Sequence, residues 1–214
     1  MKWFKLANLR SYQFMLEGLA EVRERLEKRN IQFVIESVSP EVGVTEFVKN
    51  VDAALLICDR GYLKLQKKWR VYVSTRVNCG VIQVESDVVV PVETVSLKEE
   101  FAARTIRPKI HKLLKQFLVL MKHVIVRHSS LDFSLPYGLK TIDLSDVPGL
   151  LKKMNIDHSV HPTTFKGGTL HAKKVLLAFI EASLKSYGED RNEPSLNGVS
   201  GMSPYLHFGQ ISPL

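Results

Sequence analysis

Apolar residues recur from Met15 through Leu19 and Val22 to Leu26 at spacings of four, three and four, with Glu and Arg between them. That period predicts a helix over residues 11–29 with a single apolar face. Ile31 to Ile35 follows as a short β-rich run, punctuated by Pro40 and Gly43, and Val44, Phe47 and Val48 mark a second, shorter helix. Ala53 to Cys58 is continuously apolar and stops at the turn Asp59-Arg60-Gly61. Such a run reads as a strand buried on both faces, the habit of a parallel sheet. Tyr62 to Val77 predicts a third helix, with Leu65, Trp69, Tyr72, Val73 and Arg76 near one face and Trp69 in the core, and Gly80 to Glu85 another strand. Alternation of helix and strand predicts a doubly wound α/β layer. Such a layer normally opens on a central strand. This chain opens on a helix, so the first strand is expected to be missing or supplied elsewhere.

After Pro91 the pattern changes. Lys98 to Leu120 predicts a long basic helix or helix pair, interrupted at Arg107-Pro108. Residues 127–168 are rich in Ser, Asp, Pro, Gly and His, which suits a long interdomain connection. Within it, Ser145-Asp146-Val147-Pro148-Gly149 is a start for one short helix. Gly167-Gly168-Thr169 then leads into a helix from Leu170 to about Tyr187.

Composition narrows the partners more than the fold. With 45% hydrophobic and 24% charged residues the 214-residue chain has ordinary globular usage. Thirty Lys and Arg against 22 Asp and Glu give a formal net charge of +8, which favours polyanionic partners through counterion release. The two cysteines, Cys58 and Cys79, lie in apolar stretches read as buried strands and suggest no disulfide framework. No apolar run approaches the ~20 residues that span a bilayer. Met1-Lys2-Trp3-Phe4-Lys5 leads into an amphipathic stretch without the apolar core of a signal peptide. The expectation is a cytoplasmic protein with no membrane partner.

The most informative segment runs from Arg191 to Pro213. Ser203 followed by Pro204 reads as a helix start, with Ser as N-cap and Pro at the first helical position. Gly198 and Gly201 let the preceding backbone turn sharply, and Ser200 adds a hydroxyl. Backbone N–H groups beside a helix N-terminus attract anions, phosphate above all. By local physics alone a plain loop-to-helix junction is the commoner reading.

The wider string, Ser203-Pro-Tyr-Leu-His-Phe-Gly-Gln210, resembles the start of the flavin domain of photolyases and cryptochromes, and Arg191-Asn-Glu-Pro194 narrows the resemblance to class II cyclobutane-dimer photolyases. Glu100-Phe-Ala-Ala-Arg-Thr-Ile-Arg-Pro-Lys-Ile110 resembles that class's segment after the α/β sheet, and Phe165-Lys-Gly-Gly168 its linker into the helical domain. The resemblance implies an incomplete Rossmann-like, doubly wound α/β domain over residues 1–126, a linker over 127–168, and the first helices of an all-α FAD-binding domain over 169–214. It implies light-driven repair of UV-damaged DNA by electron transfer from reduced FAD, with room for an antenna chromophore of deazaflavin or folate type. Tyr187 matches the tyrosine that opens the flavin site. Val199, Ser200, Gly201, Met202 and Ser203 match the loop that holds the FAD phosphates, and Arg191 an arginine on the DNA-facing rim. The class's loop reads more like Ser-Asn-Leu-Ser, so Gly201 and Met202 depart from it while the backbone donors remain. The chain is expected to be a piece truncated at both ends, inactive alone. Its rivals are a cryptochrome-like light sensor or partner-binding module, a remnant of a disrupted gene, and half of a split enzyme completed by a complementary carboxy-terminal polypeptide.

Other features have plainer readings. His158 and His161 lack the companions a metal needs, so no metal is expected. The basic run Arg104, Arg107, Lys109, His111, Lys112 and Lys115 reads first as a solvated helix face, and second as a contact for phosphate backbone. Lys64, Lys67, Lys68 and Arg70 surround Trp69, which at helical spacing is core before it is a stacking platform. Asp59 and Arg60 end a strand where α/β folds place ligands, with a turn as the default. No nucleophile and base pair stands out, so no catalytic residue is assigned.

Overall fold

The computed structural model describes residues 7–214 other than 121, 123, 137, 140 and 163; the amino-terminal run Met1–Lys5 lies outside the described residues. The elements in order are α1 (Leu9–Glu27), α2 (Pro40–Asn50), β1 (Leu55–Asp59), α3 (Lys64–Ser74), β2 (Gly80–Val84), α4 (Val92–Val95), α5 (Ala103–Phe117), α6 (Val147–Lys153), α7 (Thr169–Ala182), α8 (Tyr187–Asp190) and α9 (Ser203–His207). They fall into two compact units. One holds the chain up to Val34 with Val126–Asp132 and Ile142–Ile211; the other holds Ile35–Ile125, Phe133–Thr141 and Ser212–Leu214.

The second unit contains the sheet. β1 and β2 pair in parallel, Leu55 opposite Gly80 through Asp59 opposite Val84, with α3 as the crossover. β2 lies within the predicted Gly80–Glu85, whereas β1 begins two residues into the Ala53–Cys58 run and ends one residue past it, at Asp59. Cys58 lies in β1, whereas Cys79 stands just before β2, and both are free thiols. The inner face of β1, Leu56 and Cys58, joins Val44 of α2 and Trp69 and Val73 of α3 around a cavity of about 120 Å³. Trp69 is half-buried there. The opposite face corrects the expectation of a strand buried on both sides: Leu55, Ile57, Ile82 and Val84 are 46–61% exposed. An uninterrupted apolar run records what a strand tolerates, and no described element of this unit covers that face.

The Ile31–Ile35 run is a second correction. It is extended but pairs with no strand among the described residues. Ile31 N–H donates to the Leu26 carbonyl at 2.9 Å, while two backbone donors go to side chains, Gln32 N–H to Ser130 Oγ at 2.8 Å and Ile35 N–H to Thr141 Oγ1 at 3.0 Å. Lys98–Leu120 is likewise shorter than the pattern suggests. α5 is one helix that runs through Pro108, whose missing N–H leaves only the bond to the Arg104 carbonyl unmade.

The first unit is built on α1, and the helix is buried on two sides. Tyr12 and Leu16 pack with Leu144 and with Val147 and Leu151 of α6. Phe14, roughly 200° around the helix from Tyr12, packs with Ala172 of α7 and with Met202 and Tyr205. α6 confirms the short helix expected at Ser145–Gly149, and Asp146 caps it by accepting the Gly149 N–H at 2.9 Å. At the start of α7 the N-cap Gly168 has φ of +108°, a conformation that favours glycine. The donors there are taken by α1 carboxylates, Gly167 N–H by Glu17 at 2.7 Å and Leu170 N–H by Glu21 at 3.2 Å. Negative charge at this end of a helix is favourable. α7 stops at Ala182, short of the expected Tyr187, where Ser183 and Leu184 both donate to the Phe179 carbonyl.

Candidate functional site

The segment singled out by its sequence follows α7. Tyr187 opens α8 and sets its ring edge-on to Phe179, with centroids 5.4 Å apart and planes at 89°. Arg191, just past α8 and exposed, carries its guanidinium 5.8 Å from the Tyr187 ring. Residues 192–197 are exposed turns in which Glu193 accepts both the N–H and the hydroxyl of Ser195, bonds that lower its carboxyl below the usual range. The chain then returns to α8. Gly198 is buried so closely that a Cβ there would stand 2.7 Å from Asp190 Cβ, and this approach brings the loop Val199–Ser203 beside the helix that carries Tyr187.

Within the loop Val199 and Ser203 are exposed, while Ser200 is half-buried and accepts the Met202 N–H at 3.4 Å. Gly201 turns the chain with φ of +65°. Met202 inserts its side chain into the core, so its outward contribution is backbone. The helix start is displaced by one residue from expectation: Met202, not Ser203, is the N-cap of α9, and no side chain caps it. Ser203 has already entered helical geometry. The first α-helical bond of the turn runs from Leu206 N–H to the Met202 carbonyl, so the N–H groups of Ser203 and Tyr205 precede it. Pro204 contributes none.

Tyr205 fixes this turn from beneath. It is 1% exposed, sets its ring 5.1 Å from that of Phe14 at a tilt of 56°, and donates its hydroxyl to the Lys166 carbonyl at 2.9 Å. Burial first, and Glu17 second, raise its phenol above the ordinary value. Gln210, also buried, spans α1 and α7: it donates to the Phe14 carbonyl at 2.8 Å and accepts the Gly168 N–H at 2.6 Å. The residue pattern gave no sign of this bolt.

A second polar cluster gathers at the carboxyl ends of the strands. Asp59 accepts the Ser86 hydroxyl at 2.7 Å, Arg60 pairs with Glu93, and the Tyr62 hydroxyl is bonded to Glu85. Burial, then the Glu85 bond, raises the Tyr62 phenol. The sequence singles out Asp59 and Arg60 there but not their partners, Ser86 just past β2 and Glu93 in α4. His158 meets the Met154 carbonyl at 3.2 Å, and the His161 backbone carbonyl accepts from Arg10. Among the described residues no three His, Cys, Asp or Glu gather as metal ligands, and no helix is long and apolar enough to cross a membrane.

Residues 2–127 match the family profile for DNA photolyase. The chain belongs to the DNA photolyase family. Along 99% of its length it is 40% identical to the deoxyribodipyrimidine photo-lyase of Methanothermobacter thermautotrophicus, and along 96% it is 33% identical to that of Potorous tridactylus. It spans 45% and 38% of those two photolyases, less than half their length. In fold it is similar to the Synechocystis sp. PCC6803 cryptochrome (TM-score 0.74, 18% identity, 97% of this chain and 43% of that one). It is also similar to an archaeal photolyase from Sulfolobus tokodaii, solved with two FAD molecules (TM-score 0.65, 17% identity, 96% and 42%). The helices and small parallel sheet are those of the amino-terminal α/β domain of photolyases and cryptochromes.

Proposed function

We propose that this chain carries the α/β part and the flavin-phosphate segment of a class II photolyase that repairs cyclobutane pyrimidine dimers in UV-damaged DNA. The observation that supports this most is the 40% identity to an archaeal photo-lyase, sustained along 99% of the chain. The family profile ends at residue 127, in keeping with an α/β part over 1–126, a connection over 127–168 and the start of a helical domain from 169. The segments at 100–110 and 191–213 support class II.

The loop before α9 suits the phosphates of FAD. Gly201 lets the backbone turn with no side chain in the way, Ser200 and Ser203 add hydroxyls, and two N–H groups lie ahead of the first helical bond. Val199, Ser200, Gly201, Met202 and Ser203 hold the phosphates, Tyr187 borders the flavin, and exposed Arg191 meets the DNA backbone. The flavin, when bound and reduced, supplies the photoexcited electron that opens the cyclobutane ring and is then returned. The same reading leaves room for an antenna pigment. Because Val199, Ser203 and Arg191 stand open to solvent, the loop grips the cofactor from one side. We infer weak retention and no repair by this chain alone, with tight binding only when a complementary carboxy-terminal photolyase polypeptide closes the site.

Equilibrium dialysis of FAD, read by visible absorption, tests the assignment. Weak binding is expected, competed by ADP but not by riboflavin and reduced in a Ser200→Ala/Ser203→Ala variant, because the phosphates carry the contact. Competition by riboflavin instead, or no binding even with a complementary carboxy-terminal piece, would remove FAD from these residues.

A further inference from the structure

α5 bears a row of basic side chains that neither the core nor the flavin reading uses. Its fifteen residues, ARTIRPKIHKLLKQF, include no acid. At about 100° per residue, Arg104, Arg107, His111 and Lys115 fall within about 80° of one another, with Lys112 alongside. All five are exposed, while Ile106, Ile110, Leu113 and Leu114 on the other side are half-buried. Among the described residues none of the five is ion-paired. Lys109 differs, being held by Glu100 and, at 3.3 Å, by the Ser96 hydroxyl. The row begins beside Phe101, 78% exposed, whose ring centroid lies 5.9 Å from the Arg104 guanidinium.

At 1.5 Å per residue the four positions climb the helix in steps of about 4.5, 6 and 6 Å, roughly 16 Å in all. A nucleic acid strand advances ~3.4 Å per phosphate, so this row faces several consecutive phosphates. An anionic membrane fits less well, because an interfacial helix presents its apolar side with its basic one, and the apolar side of α5 is turned inward. We propose that the outer face of α5 is a sequence-independent docking surface for the phosphodiester backbone of DNA, working without flavin and without a lesion.

α3 supplies the comparison. Lys64, Lys67 and Lys68 are exposed too, but Val71 and Thr75 interrupt their row. The experiment is the fluorescence anisotropy of a short undamaged duplex titrated with the full chain, in the dark and without added FAD, across a series of salt concentrations. An Arg104→Gln/Arg107→Gln/Lys115→Gln variant is expected to flatten the slope of log K against log salt by about 2.7, three lost contacts at about 0.9 each. Lys64→Gln/Lys67→Gln/Lys68→Gln, an equal loss of charge in the same unit, is expected to leave it unchanged, with thermal melts establishing that both variants fold. Equal flattening by the two variants overturns the proposal, as does no binding by the unaltered chain or a preference for vesicles of anionic lipid over the duplex. No pigment, light or lesion enters the measurement, so its failure is distinct from failure of the repair reading.

Discussion

The side-chain amide of Gln210 is bonded at both ends, to the Gly168 N–H and to the Phe14 carbonyl. Phe14 lies within α1, where its carbonyl also serves the helix, but the Gly168 N–H is buried at the start of α7 and has no such alternative. Truncation at this site therefore orphans one buried donor, a loss of about 1–3 kcal/mol. Gln210→Ala is expected to lower the unfolding free energy by that amount in urea titration; a change below about 0.5 kcal/mol would mean that water replaces the amide without loss. The neighbouring Gly18 explains why the bolt fits. A Cβ there would stand 2.4 Å from Gln210 Nε2, so the helix has to be bare at that point. Nothing in the periodicity of the helix signals Gly18, because its purpose depends on a residue 192 positions away.

At the scale of elements, α1 and α5 show what periodicity captures. The spacing of Met15, Leu19, Val22 and Leu26 placed α1 to within two residues at each end and oriented one side, yet Val22 of that stripe is exposed and Phe14 on the other side is among the most buried residues of the unit. A single aromatic and a glycine make too weak a second stripe to register. α5 is tied to the segment before it by Lys109, which, with the hydroxyls of Ser96 and Thr105, holds the Glu100 carboxyl down to about 2 from an ordinary 4.5. A depressed carboxyl stabilises the fold above its unfolded value, and this contribution is lost as pH falls from 4.5 towards 2. The melting temperature should therefore drop more steeply across that window in the unaltered chain than in Glu100→Gln. The lowered carboxyls of Asp143, Asp157 and Glu193 are common to both proteins. Equal slopes would show that the Glu100–Lys109 pair contributes nothing measurable.

Over the whole molecule, the two-stranded sheet stands out for leaving one face of its strands in water. Leu55, Ile57, Ile82 and Val84 form one contiguous exposed apolar face, and such faces drive association. The purified chain is expected to self-associate as its concentration rises. Ile57→Thr/Ile82→Thr should shift that association to higher concentration in light scattering while leaving the melt nearly unchanged; an unchanged onset would place the sticky surface elsewhere. The sequence by itself determined both strands, their parallel α/β character, the short helix at Asp146 and the family, because each rests on local periodicity, capping chemistry or contiguous motifs. Tertiary structure alone decided that Gln32 and Ile35 give their backbone donors to hydroxyls, that one sheet face stands bare, and that α1 is buried on two sides. It likewise brought the loop at Val199–Ser203 against α8 through Gly198. Each of these depends on which distant group arrives to meet a surface, and an apolar or flexible residue records only that it can be met.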